Sequence, residues 1–160
     1  MIITPALMLG AIKGKLESAF PGEPVYENLT PREFERPSNM VELVKLDLNP
    51  LSQGAGAVTF QYQYKITTYC VVDEVHDSHL PTLDLRCMTI LGAFADGYVK
   101  AGDRAPKVTA CTANTEGLYD YAEVKLTVSL AMDRSEFRSD EILPLMEDLN
   151  TKLNAKEKTI

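Results

Sequence analysis

The densest gathering of chemistry-bearing side chains in this 160-residue sequence is the run "DEVHDSH", residues 73–79. It holds Asp73, Glu74, His76, Asp77 and His79, and its two histidines are the chain's only ones. Imidazole and carboxylate together can bind zinc or another transition metal, so a metal-dependent or small-molecule-binding enzyme centred on Asp73–His79 is one reading. A zinc site, however, draws three or four converging ligands, often from separate elements. Here all the candidates lie just ahead of an expected helix. There, Asp and Ser side chains cap orphan N–H groups, and acids face the positive end of the helix dipole. Capping accounts for the run, and no metal, cofactor or catalytic residue is expected from it.

The remaining catalytic inventory is thin. "GAGA" at Gly54–Ala57 lacks the G-x-x-x-x-G-K-[ST] context, and no helix follows to bring its N-terminus to a phosphate. A hairpin tip explains it better. The sequence contains no G-x-S-x-G elbow and no H-E-x-x-H pair. Glu33 and Glu35 sit in a charged loop, where solvation accounts for them. Cys70, Cys87 and Cys111 are odd in number and form no C-x-x-C pair. They read as small hydrophobes in a reducing compartment.

Charge narrows the partners. Asp and Glu number 23 against 16 Lys and Arg, a net −7. No basic run interleaves with aromatics, so sequence-specific DNA binding, which depends on neutralising phosphates, is not expected. An acidic surface past which DNA slides without sticking fits the balance. No stretch approaches the roughly 18 uninterrupted apolar residues of a membrane span. The N-terminal "MIITPALMLGAIKGKLESAF" has no basic region ahead of its apolar part. It reads as mature sequence in a cytoplasmic setting.

Interaction features are richer. "TPREFERP" sets Phe34 between Arg32, Glu33, Glu35 and Arg36, with Pro31 and Pro37 at its ends. Such an aromatic either anchors an interface or tucks back onto its own domain. In "AVTFQYQYKITTYCVV", Ala57 to Val72, residues alternate. Val58, Phe60, Tyr62, Tyr64, Ile66, Cys70 and Val72 share one side with Thr68. Thr59, Gln61, Gln63, Lys65, Thr67 and Tyr69 share the other. A period of two over this length is a strand with one buried face, much longer than the usual five or six residues. Its outer face carries one charge where a plain solvated face carries several, which suits a polar contact with a partner.

These segments need elements to position them. Thr4-Pro5 opens a helix whose stripe is Leu9, Ile12, Leu16, Ala19 and Phe20, ended by Pro21-Gly22. A proline-rich stretch follows, with a short strand at Val25–Glu27. A strand over Met40–Leu48, with Val44, Leu46 and Leu48 among its apolar positions, pairs with the long strand as an antiparallel hairpin. Pro81 starts a second helix with Leu80, Leu83, Cys87, Ile90, Leu91, Phe94 and Tyr98 on its apolar face and Gly102 near its end. "KVTACTAN" is a short strand. "YAEVKLTVSLAM" is a second long one, with Ala122, Val124, Leu126, Val128, Leu130 and Met132 inward and Glu123, Lys125, Thr127 and Ser129 outward. From Ser135 the chain turns charged, and Ile142, Leu143, Met146, Leu149 and Leu153 recur at helical spacing, interrupted by Pro144. The expected fold is α+β: four or five mainly antiparallel strands against two helices, residues 1–134, with a C-terminal appendage helix in residues 135–160.

The element order, with "AFPGEPVYEN", "RPSNMVELVKLDLNP" and "TFQYQYKITTYCVV", resembles the small tail terminator (tail completion) proteins of long-tailed phages and prophages over about residues 6–132. Ser38, Asn39 and Glu42 depart from the more apolar strand start of that pattern, as does the C-terminal extension. The resemblance implies an α+β subunit without a catalytic site, assembling as a ring, commonly hexameric, on the last ring of the tail tube. Such a ring stops tube growth and gives the head connector a docking surface, with DNA passing through it. Its place is the virion, at the head-proximal end of the tail, after assembly in the host cytoplasm. The subunit or tube interface is expected on the outer faces of the long strands, at Gln61, Gln63, Lys65, Tyr69, Glu123 and Lys125. The loop residues Arg32, Phe34 and Arg36, and Gln53 at the hairpin tip, complete it. Another neck ring, such as a head–tail connector or stopper, and a cytoplasmic adaptor on the same fold remain alternatives.

Overall fold

A computed structural model describes residues 2–50, 56–72, 79–115 and 120–137. Helix α1, Pro5–Ala19, begins as its sequence dictates. The Thr4 hydroxyl accepts a hydrogen bond from the Leu7 N–H at 3.2 Å, and Pro5 takes the first turn, where its missing N–H costs nothing. Met8, Leu9, Ile12 and Leu16 form its buried face. The chain then leaves through Gly22, at φ +80°, a conformation that favours a residue without Cβ.

Five strands make one sheet: β1 (Val25–Glu27), β2 (Ser38–Asn49), β3 (Ala57–Tyr69), β4 (Lys107–Asn114) and β5 (Tyr121–Asp133), in the order β1-β2-β3-β5-β4. Every neighbouring pair is antiparallel except β1 with β2, which is parallel. Helix α2, Leu80–Ala93, joins α1 on one face of this sheet, and one continuous core lies between. This is an α+β fold, with a 3-10 turn at Arg134–Phe137 after β5.

The alternation of β3 and β5 sets the faces. Val58, Tyr62, Tyr64 and Ile66 of β3, and Ala122, Val124, Leu126, Val128 and Met132 of β5, are buried toward the helices. The two tyrosines bury their rings without orphaning their hydroxyls: Tyr62 donates to the Ile3 carbonyl at 2.6 Å and Tyr64 to the Pro5 carbonyl at 2.7 Å. These bonds fasten the start of α1 to the middle of the sheet.

Several boundaries differ from expectation, each for a local reason. Strand β3 stops at Tyr69 because the chain turns off after Cys70, whose N–H donates to the Asp120 carbonyl; Val72, expected inward, is exposed. Helix α2 ends at Ala93, well short of Gly102. Gly97, at φ +83°, turns the chain back, and the bonds Val99 N–H to Pro106 O and Val108 N–H to Gly97 O hold it toward β4. Tyr98, expected on the apolar face, lies beyond the helix and is exposed, as is Leu80 at its first position. The hairpin tip with Gln53, the residues 73–78 and the expected appendage helix beyond residue 137 lie outside the described residues.

The early start of β2 has a cause that the periodicity of α2 hides. Arg86 projects from the buried side of α2 and is only 8% exposed. Its guanidinium forms a fork with the Glu23 carboxylate at 3.1 and 2.8 Å, donates to the Thr68 hydroxyl at 2.7 Å, and lies over the Phe20 ring. A longer contact of 3.4 Å reaches Asn39 Oδ1, and another the Ser38 carbonyl. Ser38 and Asn39 are wholly buried. Asn39 is polar because its side chain helps surround a buried cation, which must be hydrogen-bonded and paired to be tolerated. Ser38 offers that cation only its backbone carbonyl, and its buried hydroxyl has no partner among the described residues.

Lengths decide what is left uncovered. The 15 residues of α1 span about 22 Å at 1.5 Å each. The 13 residues of β3 span about 43 Å. The far half of the β2–β3 hairpin therefore runs past the helices. A register shift between Leu43 and Lys45 keeps Leu46 beside Tyr62 and Leu48 beside Phe60, on the helix-facing side, yet Leu46 is 44% and Leu48 54% exposed.

Candidate functional site

Among the described residues no three His, Cys, Asp or Glu side chains gather as a metal site. Of the "DEVHDSH" run only His79 is described. It is the buried N-cap residue of α2, and its side chain forms no capping bond there, while the Asp and Ser residues expected to cap lie outside the described residues. Burial pushes the thiols of Cys70 and Cys87 up, and that of Cys111 up to about 11. All three are free cysteines, and such protonated thiols are poor nucleophiles. No described helix is long and apolar enough to cross a membrane.

What the fold does assemble is a surface. The pairing of β3 with β5 sets Gln61 opposite Ser129, Gln63 opposite Thr127, Lys65 opposite Lys125 and Thr67 opposite Glu123, all on the face away from the helices. Two lysines directly opposite would repel. Lys65 is drawn aside by Glu42 of β2 at 2.8 Å, with Glu123 at 3.9 Å, and the hydrogen bond to Glu42 raises its pKa. Val44, Gln63, Lys65, Lys125 and Thr127 border a shallow groove of about 280 Å³, with Tyr64 and Leu126 completing its lining. Lys65 and Lys125 are the charged residues of that lining, and the other five are uncharged.

At the near end of the same face the "TPREFERP" loop folds back. The Phe34 ring lies 4.6 Å from Tyr69 between centroids and meets Tyr26 edge-on at 6.4 Å. Arg36 stacks over both Phe34 and Tyr69 while its guanidinium pairs with Asp120 at 2.7 Å and donates to the Cys70 and Asp120 carbonyls. Burial pushes the Tyr69 phenol up. Phe34, Arg36 and Tyr69 thus form an intramolecular clasp; Arg32 is exposed beside it. Phe34 packs against its own domain and stays half-buried. Its prolines and flanking charges resemble those of an exposed anchor, and its packing on Tyr69 depends on a contact 35 residues away in the chain.

A second surface was not legible from the helical stripe. Leu85 and Met88, three residues apart on the outward side of α2, are 70% and 66% exposed. The only sequence signal was that these two apolar residues fall off the buried face.

No protein-family model matches the chain, and no curated protein matches it. A solved structure is similar over 80% of this chain and 94% of its own length, at 12% identity and a TM-score of 0.47. Likeness at that level carries no argument about activity or partners.

Proposed function

We propose that the protein is a structural ring subunit of a phage tail, a tail terminator. Copies of it cap the tail tube, stop tube polymerisation and present the docking surface for the head connector, with DNA passing through the ring. Its partners are further copies of itself, in a ring of the hexameric kind, the tube protein and the connector. Its place is the head-proximal end of the tail.

One observation carries this reading: the subunit bears two unlike, weakly charged patches on opposite sides. The sheet's outer face holds the groove of Val44, Gln63 and Thr127, and α2 holds Leu85 and Met88 on the far side of the helical layer. A closed ring requires a head-to-tail interface, in which one patch of each copy meets a different patch of the next. An apolar pair on a helix fits a groove whose lining is uncharged apart from Lys65 and Lys125. The acidic balance of −7 also suits a conduit that must not retain DNA phosphates.

The test is to mix the protein with its tail tubes and image them by negative stain. Light scattering during gel filtration would follow the protein alone. Capped tubes of uniform length are expected from the wild type, and uncapped tubes from Leu85→Asp and from Val44→Asp. Both residues are exposed, so unfolding should shift by less than about 0.5 kcal/mol. Tubes that never acquire the protein would sink the proposal. Capping that survives both substitutions would remove these two patches from the interface.

A further inference from the structure

The far part of the hairpin carries an apolar ledge on its helix-facing side. Leu43, Leu46 and Leu48 of β2 are all exposed there, next to the half-buried Phe60 of β3. The edge beside them is open as well: β1 pairs only with Asn39, Met40 and Val41, and no described strand continues along β2 beyond them. A row of exposed leucines on an open edge is the arrangement that soluble proteins usually cover.

The chain itself heads for this ledge. After β5 the turn Arg134–Phe137 does not follow the outer face. The Arg134 guanidinium reaches across to the Pro50 carbonyl at 2.9 Å, and the Arg134 N–H donates to the Gly56 carbonyl. Phe137 lays its ring on Phe60 at 5.3 Å, and Glu136 pairs with Arg104 from the loop after α2. The turn is therefore fixed on the helix-facing side and brings the chain from the end of β5 onto Phe60 of β3, the strand next to β2. Residues 138–160 follow. In that stretch Pro144 suits a first helical turn, and Leu145, Met146, Leu149 and Leu153 fall in one stripe roughly 100° wide at helical spacing. A helix over residues 144–157 would be about 21 Å long. Leu43 to Leu48 extends about 17 Å along its strand.

We propose that the ledge of Leu43, Leu46, Leu48 and Phe60 is the docking surface for residues 144–157 of the same chain, lying with Leu145, Met146, Leu149 and Leu153 against it. The assignment is independent of the ring, which uses the opposite face of the sheet and the outer side of α2.

Hydrogen exchange on the full chain tests it. Amides of 144–157 should exchange at least about tenfold more slowly than an unstructured chain. The double substitution Leu46→Asp with Leu48→Asp should abolish that protection while β5 amides keep theirs. In a Cys111→Ala background, Leu48→Cys with Leu149→Cys should close a disulfide within one chain, seen as a faster-migrating monomer on a non-reducing gel. Unprotected amides would overturn the proposal, and so would protection that survives the double substitution. A disulfide formed mainly between two chains would overturn it in favour of a second copy as the occupant.

Discussion

At Val41 and Ile66 the ladder between β2 and β3 is fully buried beneath the helices, whereas at Leu48 and Phe60, in the same two strands, it emerges from under them. Both regions obey the same alternation and present apolar side chains to the same side. Near the helices those side chains meet α1, α2 and a buried Arg86 held by Glu23. Farther out Phe60 is only half-buried at the margin of that core, and Leu46 and Leu48 are exposed. A strand pattern reports which way a residue points; how much it buries depends on what another element brings to that place.

Substitutions on either side of this divide can break or sharpen the contrast. Ile66→Ala, at a fully buried site, should cost about 4 kcal/mol in denaturant unfolding. A loss below about 1 kcal/mol would mean that the near region is not the stable one. Arg86→Ala comes next, at about 3 kcal/mol, because it strands the Glu23 carboxylate and the polar ends of Asn39 and Thr68. Arg86→Ala with Glu23→Ala should lose less than the sum of the single variants, a coupling that a double-mutant cycle measures.

Phe34→Asp should cost about 2 kcal/mol, since it removes a ring from the clasp with Tyr69 and Tyr26. Unchanged unfolding would return Phe34 to the role of an interface anchor. Leu48→Ala should cost about 1 kcal/mol in the full chain and under about 0.5 kcal/mol in a chain ending at Phe137, where a covering segment would be gone. Equal values in the two chains would count against the covered ledge.

The remaining effect appears only at high pH. Burial raises the Cys111 thiol to about 11, so the folded state holds its proton more tightly than the unfolded one, whose thiol titrates near 9. That contribution is complete below pH 9 and is lost as pH rises through 11. Cys111→Ala should therefore lose less of its thermal midpoint between pH 9 and 11 than the wild type, by on the order of 5 °C. An identical decline in both would place Cys111 outside the linkage.

Much of this molecule was legible in its residues for identifiable reasons. Thr4-Pro5 states a helix start in local chemistry, and the alternation through Tyr62, Tyr64 and Ile66 states a strand face. Neither needs a distant partner to be recognised. The polar Asn39 at the start of β2 was a misfit on the same rules, because its side chain answers to Arg86, 47 residues away. The end of α2 was misplaced because the return bonds from Pro106 and Gly97 override a sequence that could have extended the helix. Gln61, Gln63, Lys65, Glu123 and Lys125 do share the face that their alternation assigns them. The groove among them follows from the register of β2, β3 and β5, which no single strand encodes.

The sequence alone determined the kinds and order of the elements and the orientation of nearly every strand residue, because these follow from short-range sterics and from burying one apolar face. Tertiary structure decided which apolar residues remain in water, where Phe34 rests and why a guanidinium lies in the core. Each of those depends on the relative reach of helices and strands and on contacts between residues far apart in the chain, whose free energies exist only once the layers have met.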